Sequence, residues 1–135
     1  GTFALELARK GFHVDVFEPN ILSKAFMMYR ANKYHIKNVN ILSDFGEKKY
    51  DTLFCLYVLE HIADWEIALK KIAAHLRPNG QLIECHFFRE CDEDKSPQIY
   101  QGDYSPNYYL EKMGFELKEI ISQTQVWRLK HVVEN

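Results

Sequence analysis

Two carboxylates and a histidine stand where short apolar runs end, the positions from which α/β proteins do most of their chemistry. Glu18 directly follows Phe12-His13-Val14-Asp15-Val16-Phe17 and precedes Pro19-Asn20. A carboxylate there can accept hydrogen bonds from both hydroxyls of a ribose. Its distance from Gly1 is close to the ~20 residues that separate glycine loop from acid in dinucleotide folds. An acid at a helix N-terminus is also favourable simply because of the helix dipole. Asp44 closes the run Val39-Asn40-Ile41-Leu42, at the strand end where ligands of open α/β sheets bind. Asp-Phe-Gly is equally ordinary turn chemistry. Leu56 and Tyr57 end a longer apolar run, so the same rule points them toward a crevice. Glu60-His61 is the most chemical pair, because an imidazole with a pKa near ~6.5 can take a proton from a reacting group. A purely structural role after the strand is the plainer reading of that histidine.

Cys85-His86 with Cys91, Asp92 and Glu93 superficially suggests a metal site. The spacings match no zinc pattern, and adjacent residues of a strand point to opposite faces, so no metal is expected. His13, His35, His75 and His131 are isolated.

The elements that must hold these residues follow from periodicity and punctuation. Residues 2–10 form a predicted helix with Phe3, Leu7 and Ala8 on one face and Gly11 as its stop. Residues 12–17 form a strand, and Asn20 caps a helix over 21–33. Strands follow at 39–42 and 50–57, the second apolar enough to be buried on both faces in a parallel sheet. Asp64 caps a helix with Ile67, Ala68, Ile72 and Leu76 at helical spacing, and Arg77-Pro78-Asn79-Gly80 ends it. A strand over 81–88 leads into a polar loop over 89–103, and Ser105-Pro106 starts a short helix. The last strands, 115–121 and 125–133, are joined too tightly for a crossover helix and should be antiparallel. Strands alternating with helices imply an α/β fold with an open, mostly parallel sheet, helices on both faces and a C-terminal antiparallel hairpin.

The bulk numbers agree with one domain. The chain has 135 residues, 47% hydrophobic, and Lys+Arg 17 against Asp+Glu 19 gives a net charge of -2. There is no global field for nucleic acid, no basic run with interleaved aromatics, and no apolar run of membrane-spanning length. Three cysteines at unrelated spacings point to reduced thiols and the cytoplasm.

Taken in order, the motifs resemble the class I S-adenosylmethionine-dependent methyltransferases, a Rossmann-like family. Gly1-Thr2-Phe3-Ala4-Leu5-Glu6-Leu7-Ala8-Arg9-Lys10-Gly11 is similar to the last glycine of the family's cofactor loop and the helix behind it. Val14-Asp15-Val16-Phe17-Glu18-Pro19 is similar to the second-strand motif, and Asp44-Phe45 to the position after the third. The run from Tyr50-Asp51 to Leu59-Glu60-His61-Ile62, then Leu76-Arg77-Pro78-Asn79-Gly80, resembles the fourth-strand motif and the turn into the fifth. The first strand and earlier glycines of that pattern are not among these residues.

The resemblance implies S-adenosylmethionine as cofactor and transfer of its methyl group to a nucleophile, leaving S-adenosylhomocysteine. It implies a cofactor set of Gly1, Glu18, Pro19, Asp44, Phe45, Leu56 and Tyr57: Glu18 on the ribose, Asp44 on the adenine amino group and Phe45 on its ring. Leu56 would offer its backbone to the amino acid portion, Tyr57 would line the transfer site, and His61 would be the candidate base. The polar loop would be an acceptor-binding loop or lid, and Tyr100, Tyr104, Tyr108 and Tyr109 would shape an acceptor pocket or cover a sheet edge. Charge and composition favour a small-molecule acceptor over a nucleic acid, and no membrane. Two other readings stay open: a non-catalytic module of the same fold, and a nicotinamide-dependent oxidoreductase that shares the glycine loop and strand-end acid.

Overall fold

A computed structural model of the chain describes residues 1–85 and 105–130. The described elements fall into two compact units, residues 1–47 and 48–135.

In the first unit, α1 (Thr2–Arg9) leads into β1 (Val14–Phe17), α2 (Ile21–Lys33) and β2 (Val39–Leu42). The strands pair in parallel from Val14 opposite Val39 to Phe17 opposite Leu42. The core is Leu5, Met27 and Ala31, packed with Val16, Ile36, Val39 and Ile41. The buried face of α1 is therefore Leu5 and Ala8, whereas Phe3, expected inside, is largely exposed. Three residues separate Leu5 from Ala8, so both lie on one side of the cylinder, turned away from Phe3. Gly11, at φ +95°, supplies the left-handed residue that releases the chain from α1. Asn20 Oδ1 accepts from the backbone N–H groups of Leu22 and Ser23, both at 3.0 Å, and so caps α2 as expected.

The second unit holds β3 (Tyr50–Leu56), a 3-10 turn (Leu59–His61), α3 (Trp65–Ala74), β4 (Leu76–Cys85), α4 (Pro106–Lys112), β5 (Phe115–Ile121) and β6 (Thr124–Leu129). Its sheet runs β3-β4-β6-β5. β3 and β4 are parallel, and the last two strands fold back antiparallel with β6 inside, next to β4. The expected α/β architecture and its antiparallel terminal hairpin are both present. Leu59, Leu69, Leu82, Leu110 and Trp127 are fully buried in the core. Each such leucine contributes on the order of 1.5–3 kcal/mol by leaving water.

Two expectations change here. Leu76 is not the last apolar position of a helix: α3 stops at Ala74, and Leu76 opens β4 opposite Tyr50. Arg77-Pro78-Asn79-Gly80 lies inside that strand as an irregularity, with Asn79 at φ +62° and the ladder slipping between Tyr50 and Thr52. A bulge of this kind accepts a proline because no ladder hydrogen bond is asked of it. Gly80 is required there, since a Cβ would stand 2.8 Å from the carbonyl oxygen of Arg77. The second change is β3: among the described residues it stands at one end of its sheet and leaves Phe54 exposed, where the sequence predicts burial on both faces. The segment expected to be a polar loop, 89–103, with its Cys91, Asp92, Glu93 and Tyr100, lies outside the described residues, as do His86, Tyr104 and His131.

Candidate cofactor site

Parallel pairing of β1 with β2 brings two of the expected carboxylates to neighbouring strand ends. Phe17 faces Leu42 in the ladder, so Glu18 and Ser43-Asp44 leave the sheet side by side. Beside them opens a depression of ≈ 440 Å³ whose lining includes Glu18, Pro19, Lys24 and Ser43. One wall is a face of α2, Ile21, Ala25 and Met28, which recurs at i, i+4 and i+7.

The carboxylates are oriented from behind. Glu18 Oε1 accepts the backbone N–H of Asn20 at 2.9 Å, inside the same turn that caps α2. Its Oε2 carries no hydrogen bond among the described residues, so one oxygen fixes the side chain and the other faces outward. Asp44 Oδ1 accepts from the backbone N–H of Phe45 at 2.8 Å. The Phe45 ring packs on Phe17, centroids 5.0 Å apart and planes at 31°. Lys24 reaches across to donate from Nζ to Ser43 Oγ at 2.8 Å. Gly1 is the N-cap of α1 and is exposed, and a Cβ on it would meet the flexible Met27 Cε at 2.8 Å.

Sequence reasoning did not single out Lys24, Ser43 or the Ile21/Ala25/Met28 wall. The signal was present. α2 carries a second apolar row besides its core positions Met27 and Ala31, and a helix with two such rows has something else to cover.

The remaining site residues belong to the second unit. Leu56 is the last residue of β3, opposite Cys85. Tyr57 has already left the strand at φ +54°, held by its N–H to the carbonyl of Cys85 at 2.7 Å. Tyr57 is 56% exposed. Its phenol pKa is raised, chiefly by the neighbouring Cys85 side chain, then by slight burial and by the charge of Glu60. Left-handed backbone at a bulky residue is uncommon and concentrates at functional sites. His61 is exposed at the end of the 3-10 turn, while Glu60 is only 5% exposed and its Oε2 has no hydrogen-bond partner among the described residues. Burial, then Glu84 and Glu60, push the Cys55 thiol up to about 12, which makes it an inert core residue. Cys85 is likewise free and buried.

Over residues 1–122 the chain matches the family described as methyltransferase domain. It belongs to that family. It is 29% identical over 104 residues to a tRNA U34 carboxymethyltransferase of Campylobacter hominis, covering 70% of this chain and 35% of that protein. A ubiquinone biosynthesis O-methyltransferase of Rickettsia conorii is 30% identical over 87 residues, covering 62% of the chain and 30% of the relative. The chain thus spans about a third of the length of these relatives. Among solved structures, a SAM dependent methyltransferase from Aquifex aeolicus superposes with a TM-score of 0.65 at 16% identity, over 85% of this chain and 67% of that one. That likeness is one of fold. The methyltransferase domain therefore accounts for the element order, for the two parallel pairings and for the hairpin that closes the sheet.

Proposed function

We propose that this methyltransferase domain binds S-adenosylmethionine at the carboxyl ends of its parallel strands and transfers the methyl group to a small-molecule nucleophile. The observation that carries the reading is the convergence of Glu18 and Asp44 on neighbouring strand ends, next to an exposed apolar wall of α2. A nucleoside asks for this combination: acceptors for its hydroxyls and amino group, and a nonpolar surface for a flat base.

S-adenosylmethionine supplies an electrophilic methyl on a sulfonium, so the protein's contribution is mainly alignment and exclusion of competing partners. Glu18 holds the ribose through its outward oxygen, with Pro19 fixing the turn into α2. Asp44 accepts from the adenine amino group, and Ile21, Met28 and Phe45 cover the base. Gly1 leaves room for the cofactor to approach the start of α1. Leu56 offers its backbone to the amino acid portion, and Tyr57 lines the transfer site. His61, exposed beside that strand end, is the group available to take a proton from the acceptor.

The relative from Rickettsia conorii is named for ubiquinone biosynthesis and that from Campylobacter hominis for a tRNA uridine. For the methyl acceptor the proposal takes the small-molecule side of that choice; the net charge of -2 belongs to the whole chain and does not bear on a local basic face. No helix among the described residues is long and apolar enough to cross a membrane, and a cytoplasmic location is part of the proposal.

Isothermal titration with S-adenosylmethionine, and with NADH as competitor, tests the reading. It is run on the chain and on a version extended by a family first strand and complete glycine loop. Saturable binding of S-adenosylmethionine that NADH does not displace is the expected result. Absence of binding in both proteins, or displacement by NADH, overturns it.

A further inference from the structure

The far end of α2 carries a feature that binding of S-adenosylmethionine does not use. From Pro19 to Ser43 the chain has no Asp or Glu, yet it holds Lys24, Arg30, Lys33 and Lys37. These are four of the chain's 17 Lys and Arg, and what sets the stretch apart is that no acid lies among them although the chain as a whole is net -2.

The expectation of no basic run with interleaved aromatics fails on α2, where aromatic rings stand among these cations and face solvent. Phe26, Tyr29 and Tyr34 are 62%, 58% and 57% exposed. The Lys33 ammonium lies 5.8 Å from the Tyr29 ring centre and 5.7 Å from that of Tyr34, and the Arg30 guanidinium lies 5.9 Å from Phe26. Where α1 and α2 run together, Arg9, Arg30 and Tyr34 line a depression of ≈ 300 Å³ that also includes Glu6. Arg9 is paired there with Glu6 at 3.1 Å, and Arg30 donates to Thr2 Oγ1 at 2.9 Å. Cations near a helix C-terminus are favoured by the dipole, which accounts for Arg30 and Lys33 but not for three exposed rings beside them. An exposed aromatic helix face normally has a partner.

The partner this surface fits is a chain that is anionic and flat-faced at once. We propose that the C-terminal half of α2, with the adjoining α1 depression, is a docking surface for single-stranded RNA. Phosphates would settle against Arg9, Arg30 and Lys33, and unstacked bases on Tyr29, Tyr34 and Phe26. A duplex hides the faces of its bases, and an acidic peptide offers charge without stacking, so both fit this arrangement less well. The surface runs along α2 from about 7.5 Å beyond Ile21, at Phe26, to about 18 Å, at Lys33, and none of its cations or rings lines the depression beside Glu18. Docking there is therefore separable from cofactor binding.

The test is fluorescence anisotropy with a labelled single-stranded RNA of about 12 nucleotides, a length within the range such surfaces occupy. The expected result is saturable binding that weakens with salt, with a log–log slope of about -2 for three neutralised phosphates. Tyr29→Ala combined with Tyr34→Ala should weaken it at least tenfold, as should Lys33→Glu alone. All three residues are exposed, so the fold is kept, and thermal melts verify that. Binding of S-adenosylhomocysteine, measured on the same samples, should be unchanged by these substitutions, so failure of either reading is seen separately. The proposal is overturned by absence of RNA binding at low salt. It is equally overturned by binding indifferent to the substitutions, or by equal affinity for duplex RNA, poly-glutamate or anionic vesicles.

Discussion

Glu18→Gln is the substitution that bears most directly on the cofactor site. Glutamine keeps the shape of the side chain, and its amide oxygen can still accept the Asn20 N–H that Glu18 Oε1 now accepts at 2.9 Å. The turn into α2 therefore survives, and Asn20 still caps the helix through Leu22 and Ser23. What is lost is the charge on the outward oxygen. Hydrogen bonds to an ionised acceptor contribute about 1.5–3 kcal/mol, roughly twice the neutral value. Replacing the charged acceptor by a neutral amide should remove about 1.5–2.5 kcal/mol of ribose recognition. At 1.4 kcal/mol per factor of ten, this is a rise of roughly 10- to 60-fold in Kd for S-adenosylhomocysteine. Isothermal titration reads the change, and a urea melt run in parallel should show stability within about 0.5 kcal/mol of the parent, as for a partly exposed substitution that creates no cavity. An affinity within twofold of the parent, at unchanged stability, would refute the assignment of Glu18 to the ribose.

Four other outcomes follow from the structure. Asn20→Ala removes two capping hydrogen bonds from α2 and should cost about 1 kcal/mol in a urea melt. Leu82→Ala, in the fully buried centre of the second unit, should cost about 2–5 kcal/mol, and a cost below 1 would contradict that packing. The Cys55 thiol is held up to about 12 against 9.0 for a free thiol, so the folded state keeps a proton that the unfolded chain gives up. Its contribution is complete below pH 9.0 and is lost as pH rises toward about 12, at about 1.4 kcal/mol per unit; the difference between parent and Cys55→Ala melts at pH 8 and pH 10.5 isolates it. Tyr57→Gly relieves a left-handed backbone costing about 1 kcal/mol, at a residue that is mostly exposed; stability should hold or rise while methyl transfer falls, and a clear loss of stability would show the conformation is not strained.

Patterns that depend on neighbours in sequence were readable, and patterns that depend on neighbours in space were not. The cap at Asn20, the order of elements and the tight turn that makes the last two strands antiparallel are local, and they are where the sequence places them. The end of α3 is not legible in the sequence because Leu76 keeps the helical spacing of Ile72 and only its pairing with Tyr50 draws it into β4. Phe3 fits an apolar helix face as well as Leu5 does, and packing against Met27 and Ala31 decides for Leu5. In the candidate site, the strand-end acids were legible from type and position. Lys24 and Ser43 were not, because nineteen residues separate them and only the return of β2 alongside β1 lets them meet. The exposed cations and rings of α2 look unremarkable in the linear sequence, where spacing by three and four hides that they share one helix face.

α2 also shows why charge must be judged by position and not by sum. Lys24 lies in the first turn of the helix, where the dipole disfavours a cation, and no acid in that turn offsets it. Its Nζ is instead drawn away to Ser43 at the end of β2, at the mouth that Glu18 also lines. A lysine that gains nothing from its own helix but brings positive charge to a carboxylate-lined opening is explained by the opening. Arg30 and Lys33 sit where the dipole favours them, and there it is the exposed rings that lack an internal reason. Each end of the helix thus carries one component that folding of the first unit does not require, and in both cases what is missing is a surface outside the protein.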